Sequence, residues 1–136
     1  KIGVFGLGIE LVNLVNPNLY KETKYLDPIE ISKDISRDLK EKEACDLIIC
    51  LSHLGYHYKN SDKISDLKLA AATKDIDLII GGHTHTFLTK PTLVKNLTNE
   101  NVLVNQVGAY GLNLGRVDFY FNEQNEKQTS DKNIII

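Results

Sequence analysis

The chemistry this sequence can offer rests on four histidines. His83 and His85 stand one residue apart in Gly81-Gly82-His83-Thr84-His85-Thr86. His53 closes the run Asp46-Leu47-Ile48-Ile49-Cys50-Leu51-Ser52-His53, thirty residues before His83. In both runs a short apolar stretch ends at histidine, which reads as a buried strand delivering imidazole at its C-terminal end. Two such units point to one shared site at a sheet edge, where open α/β sheets bind ligands. Converging imidazoles suit a transition metal. His83 and His85, at i and i+2 on extended backbone, would project both rings to one side. We therefore expect His53, His83 and His85 to be metal ligands. His57 is four residues beyond His53, but a helical zinc motif needs Glu directly after the first histidine, and Leu54 and Gly55 follow instead. His57 reads as a loop residue at the site mouth.

Three imidazoles can complete a mononuclear zinc site. A hydrolytic metal pair usually adds bridging carboxylate. The nearest acids, Asp46 and Asp77, open their strands at the end far from the histidines. The residues by themselves leave both readings open.

The elements that must position these groups follow from periodicity. Ile2 to Phe5 reads as a buried strand. Positions 13–27 read as a loop, with Asp27-Pro28 marking a turn. Ile31, Ile35 and Leu39 at helical spacing predict an amphipathic helix from about Ser32 to Ala44 with a solvated charged face. A strand, Leu47 to Ser52, comes next. The polar stretch Asn60 to Asp62 could cap a second helix that runs to about Lys74. Leu78 to Ile80 is a third strand. Strand, helix, strand, helix, strand argues for an α/β fold with parallel strands. The later part differs: Thr92 to Lys95 and Val102 to Asn105 form a hairpin, Val117 to Phe121 is a further strand, and Asn122 to Asn133 reads as a linker or exposed turn. Asn105, Tyr110 and Asn113 read first as packing and turn residues, and second as pocket lining.

The composition sets limits. A chain of 136 residues, 42% hydrophobic and 25% charged, is one ordinary globular domain. Net charge −2 with mixed signs gives no basic stripe for polymeric nucleic acid. No apolar run approaches the ~20 residues a bilayer demands. Cys45 and Cys50 match no metal or redox motif, and five residues apart they face opposite ways, so we expect buried small hydrophobes rather than a disulfide. The chain begins inside an expected strand, contains no methionine and ends on apolar residues, so it is expected to be an internal segment of a longer protein. Asn96-Leu97-Thr98 has the form of a glycosylation sequon.

Ser52-His53-Leu54-Gly55, Asp77-Leu78-Ile79-Ile80-Gly81-Gly82-His83-Thr84-His85-Thr86, and Gln106-Val107-Gly108-Ala109-Tyr110-Gly111 with Leu114-Gly115-Arg116 resemble the calcineurin-like metallophosphoesterases, within them the 5′-nucleotidase and 2′,3′-cyclic phosphodiesterase branch. The resemblance spans positions 1–122, as the C-terminal half of a catalytic domain, with 123–136 as a linker or exposed tail. It implies an α/β fold, part of a four-layer α-β-β-α sandwich. It also implies two divalent transition-metal ions (zinc, manganese, iron or cobalt) and hydrolysis of a phosphate ester, most simply a nucleotide. His53 and His83 would bind one ion and His85 the other. The first three metal motifs of the family, the bridging aspartate among them, are absent from this stretch. The resemblance thus implies as partners a missing N-terminal half and a C-terminal substrate-binding domain, and a fragment inactive by itself. A periplasmic, extracellular or surface-bound location is implied in the same way. The competing expectation is a mononuclear three-histidine module, or a remnant that binds metal or a partner without catalysis.

Overall fold

The computed structural model describes residues 1–124 and 126–135. Four parallel strands and one antiparallel edge strand make the main sheet, in the order β1-β2-β3-β5-β4. They are β1 (Ile2–Leu7), β2 (Leu47–Ser52), β3 (Leu78–Ile80), β4 (Thr92–Lys95) and β5 (Asn101–Asn105). Register aligns Phe5, Cys50, Ile79 and Val104 across four strands. These four face the helices and are 9%, 0%, 0% and 0% exposed. Full burial of a side chain such as Ile79 or Val104 stabilises by roughly 1.5–3 kcal/mol. The expected strands, the α/β order and the β4–β5 hairpin are all present.

Among the described residues three helices connect the strands: α1 (Pro17–Tyr20), α2 (Pro28–Glu41) and α3 (Asp66–Ala72). The short α1 lies within the expected loop. α2 starts earlier than the apolar spacing indicated, because Asp27-Pro28 opens the helix itself. The Asp27 carboxylate accepts from the Ile29 and Glu30 amides at 2.8 and 3.2 Å, and Pro28 needs no amide partner there. The helix ends at Glu41, before Ala44, whose φ of 49° leaves the helical region. Ser32 and Ser36 are fully buried on its inner face, with Ile29, Ile35 and Leu39 packed beside them. The Ser36 hydroxyl donates to the Lys74 carbonyl at 3.2 Å, which ties the helix to the connection between α3 and the next strand. Exposed pairs Lys33–Glu30, Arg37–Asp34 and Lys42–Asp38 line the outer face and, screened by solvent, contribute little to stability. The cap of α3 is Ser65, not the polar stretch at 60–62; its side chain accepts from the Lys68 amide.

The segment expected to be a linker or exposed turn is divided. Asn122 and Glu126 close a turn, with the Asn122 side chain accepting from the Gln124 and Glu126 amides. Beyond it, β7 (Lys127–Ile135) pairs antiparallel with all of β6 (Asn113–Phe121). β7 is almost wholly exposed, so it carries no alternation of apolar and polar residues. Its strand state comes from backbone pairing with β6. The two strands lie across the face of the main sheet opposite the helices. Lys127 pairs with Asp77, and Asn133 exchanges amide hydrogen bonds with Asn105 at 3.0 and 2.8 Å. This gives helix, sheet and second sheet in order, the α-β-β part of the expected sandwich. Between the sheets runs an apolar cleft of about 540 Å³, lined by Ile49, Leu78, Ile80, Val117, Phe119 and Phe121 among others.

Cys45 and Cys50 are buried free thiols, as expected. Asn96 of the sequon is structural: 7% exposed, its side-chain oxygen accepts from the Thr98 amide, the Thr98 hydroxyl and the Glu100 amide. That arrangement builds the β4–β5 turn.

Candidate functional site

Parallel β2, β3 and β5 end at one edge, at Ser52, Ile80 and Asn105. His53 follows the first directly, and the loop holding His83 and His85 follows the second. The structure brings His53 and His83 together, with ring centroids 5.3 Å apart and planes at 69°. His83 is half-buried and His53 exposed. A Cβ added at Gly82 would lie 3.0 Å from His53 Nδ1, so glycine is what lets the two loops approach.

The loop is not extended, contrary to the expectation for an i, i+2 pair. His83 and His85 both have positive φ, 72° and 51°, a conformation uncommon for histidine. Such backbone persists only where its surroundings enforce it. Gln106, only 2% exposed, is the enforcing group. Its amide nitrogen donates to the Gly82 carbonyl at 2.5 Å, and its oxygen accepts from the Thr86 amide and from the Thr84 hydroxyl. The Thr84 hydroxyl also accepts from the Tyr56 amide at 3.0 Å, which ties this loop to the one after His53. Sequence reasoning passed over Gln106. The available signal was a glutamine placed directly after the strand that ends at Asn105.

His85 is exposed and meets the ring of Tyr110 edge-on at 5.9 Å. Tyr110 is 88% exposed at a φ of 61°, in the turn at Ala109–Leu112, so of the expected packing and turn roles it has the turn role. Asn105 does have a packing role, through its amide pair with Asn133. His57 lies exposed in the loop after β2.

Partial burial, with His53, Lys63 and His85 close by, holds the His83 imidazole below its ordinary pKa. The neutral ring is the form that ligates metal. The paired imidazoles of His53 and His83 are donor chemistry that fits a transition-metal ion. Among the described residues, no group of three or more His, Cys, Asp or Glu side chains is gathered as a ligand set.

No protein-family model matches the chain. Relatives nevertheless align along it. It is 37% identical over 137 residues to the trifunctional nucleotide phosphoesterase protein YfkN of Bacillus subtilis (strain 168), covering 100% of this chain and 9% of that protein. It is 32% identical over 141 residues to the 5′-nucleotidase of Vibrio cholerae serotype O1, covering 89% of this chain and 25% of that protein. Its fold superposes on the 5′-nucleotidase precursor of Thermus thermophilus with a TM-score of 0.70 at 30% identity, over 82% of this chain and 23% of that one. The chain thus spans a quarter or less of the length of these relatives. Both the sequence likeness and the fold lead to one assignment: the chain belongs to the 5′-nucleotidase branch of the metallophosphoesterase superfamily.

Proposed function

We propose that the intact protein carrying this chain hydrolyses phosphate esters of nucleotides at a dinuclear metal centre, to which this chain contributes His53, His83 and His85. The observation that carries the reading is the His53–His83 pair at adjacent strand ends, with ring centroids 5.3 Å apart. The names of the relatives, nucleotide phosphoesterase and 5′-nucleotidase, support nucleotides as the substrate class. His53 and His83 hold one divalent ion and His85 contributes to a second, zinc, manganese, iron or cobalt being the chemistry that imidazole prefers. When bound, such ions neutralise phosphoryl oxygens and activate water.

The chain's own residues prepare the site. Gln106 clamps the strained histidine loop from beneath, and Thr84 joins it to the loop after His53. Lys63, near enough to act on His83, adds positive charge where an anionic phosphate arrives. Tyr110 presents an exposed ring beside His85. Residues 1–122, with the paired strand β7, form the later part of the catalytic domain. The remaining ligands come from a preceding half of the domain, which packs on the open sheet face, and the base is held by a further domain. This chain by itself is then inactive. A periplasmic or surface location accords with the same reading. No helix among the described residues is long and apolar enough to cross a membrane.

Metal analysis of the intact protein tests the stoichiometry. Two ions per protein are expected, falling towards one in His85→Ala. A single ion that survives His85→Ala and disappears in His53→Ala contradicts the dinuclear reading and leaves a mononuclear module.

A further inference from the structure

The carboxyl of Asp66, on the first turn of α3, belongs to none of the roles above, yet it sits beneath both histidine-bearing strand ends. The residue is 0% exposed. Its Oδ1 accepts from the Ser52 hydroxyl at 2.5 Å, and Ser52 directly precedes His53. The same hydroxyl accepts from the Leu54 amide at 3.1 Å, so it braces the backbone on either side of His53. The Asp66 amide donates to the Gly55 carbonyl at 2.8 Å, holding the next stretch of that loop. Oδ2 points at the other strand end: a Cβ added at Gly81 would overlap it. Gly81 is two residues before His83. Among the described residues this buried oxygen has no hydrogen-bond partner. An unpartnered buried carboxylate oxygen is destabilising, so its persistence asks for a role that fold stability does not supply.

We propose that Asp66 is a positioning residue for the histidine cluster, its carboxyl wedged between Ser52 and Gly81 so that the strand ends carrying His53 and His83 keep one fixed separation. The carboxyl acts by shape and by its hydrogen bond to Ser52. Asparagine, of the same shape and with the same acceptor, preserves the separation. Alanine removes both. The inference rests on the proposed metal-ligand role of His53 and His83 for its consequence, and on the geometry alone for its mechanism.

The test uses the intact protein, zinc alone as the probe, and the variants Asp66→Asn, Asp66→Ala and Ser52→Ala, each checked for native circular dichroism. Zinc affinity is expected to fall about 10–100-fold in Asp66→Ala and to weaken in Ser52→Ala, but to stay within about threefold of wild type in Asp66→Asn. Amide hydrogen exchange at positions 82–86 of the metal-free protein is expected to quicken in Asp66→Ala and Ser52→Ala and to be unchanged in Asp66→Asn. Should Asp66→Ala not fold, Ser52→Ala decides. Folded variants with wild-type zinc affinity and wild-type exchange overturn the proposal, as does Asp66→Asn behaving like Asp66→Ala. If wild type binds no zinc, the metal reading fails, while the exchange comparison still decides whether Asp66 positions the loop.

Discussion

The two faces of the five-stranded sheet are built from equally apolar residues and meet opposite surroundings. On the helix side, Phe5, Cys50, Ile79 and Val104 form a row no more than 9% exposed. On the other side, Ile2, Val4, Leu51 and Ile80 are 61%, 53%, 49% and 46% exposed, although they alternate with the first set along the same strands. A parallel sheet is normally covered on both faces. The helices of this chain complete one face. The β6–β7 pair roofs the other only in part, over a wide apolar cleft. The fold is therefore closed where the strands are positioned and open where the proposed remainder of the catalytic domain packs. The histidine loops lie at the edge common to both faces.

The sharpest test of this contrast is a pair of neighbouring truncations. Ile79→Ala, on the closed face, is expected to destabilise by about 2–5 kcal/mol, as cavity-forming substitutions do. Ile80→Ala, one residue on and pointing the other way, is expected to lose about 1 kcal/mol or less in this chain alone. Denaturant unfolding of the two variants gives both values. Equal losses would mean that the second face is as well packed as the first.

Next in size is a pH effect seated under the closed face. Burial pushes the Asp66 carboxyl up to about 6, partly offset by the Ser52 hydrogen bond. Between about pH 4 and 6 the unfolded chain has therefore lost this proton while the folded chain keeps it. The stabilisation is fully present below about pH 4 and is lost as pH rises through 6, by up to about 3 kcal/mol. Asp66→Asn is expected to abolish that part of the slope. Stability measured against pH in both proteins checks it, and an unchanged slope in the variant would remove Asp66 as its source.

A smaller effect probes the turn that carries the edge of the sheet. Asn96→Ala removes an acceptor of three hydrogen bonds and is expected to destabilise by about 1–2 kcal/mol, read from the thermal midpoint. The smallest marks the closed face without altering it. Burial, with Asp66 nearby, pushes the Cys50 thiol to about 12. Native protein at pH 8 is expected to leave Cys50 unmodified by a thiol reagent, and denatured protein to expose it. Mass mapping of the labelled peptide distinguishes the two.

Much of the closed face was legible, because burial writes itself into the sequence as apolar runs. Strands β1, β2 and β3, the existence of α2, and the β4–β5 hairpin followed from those runs and from turn residues. The meeting of His53 and His83 followed from two strands ending alike. What was not legible depended on partners distant in sequence. β7 reads as polar linker because neither of its faces is buried, and only β6 makes it a strand. The positive φ of His83 and His85 follows from the Gln106 clamp, whose partners Gly82 and Thr86 lie 24 and 20 residues earlier in the chain. Asp66 looks like an ordinary acidic residue at a helix start until Ser52 and Gly81 are placed against it. Asp27-Pro28 is the opposite case, a local signal taken for a turn when the same residues also open a helix.

The central claim is that the histidine loops hold metal for phosphate-ester hydrolysis. The most direct measurement is nucleotide hydrolysis by the intact protein, with and without added manganese or zinc, beside His83→Ala. Activity is expected to depend on the metal and to fall at least about a hundredfold in the variant. Hydrolysis that needs no metal, or that His83→Ala leaves untouched, would contradict it.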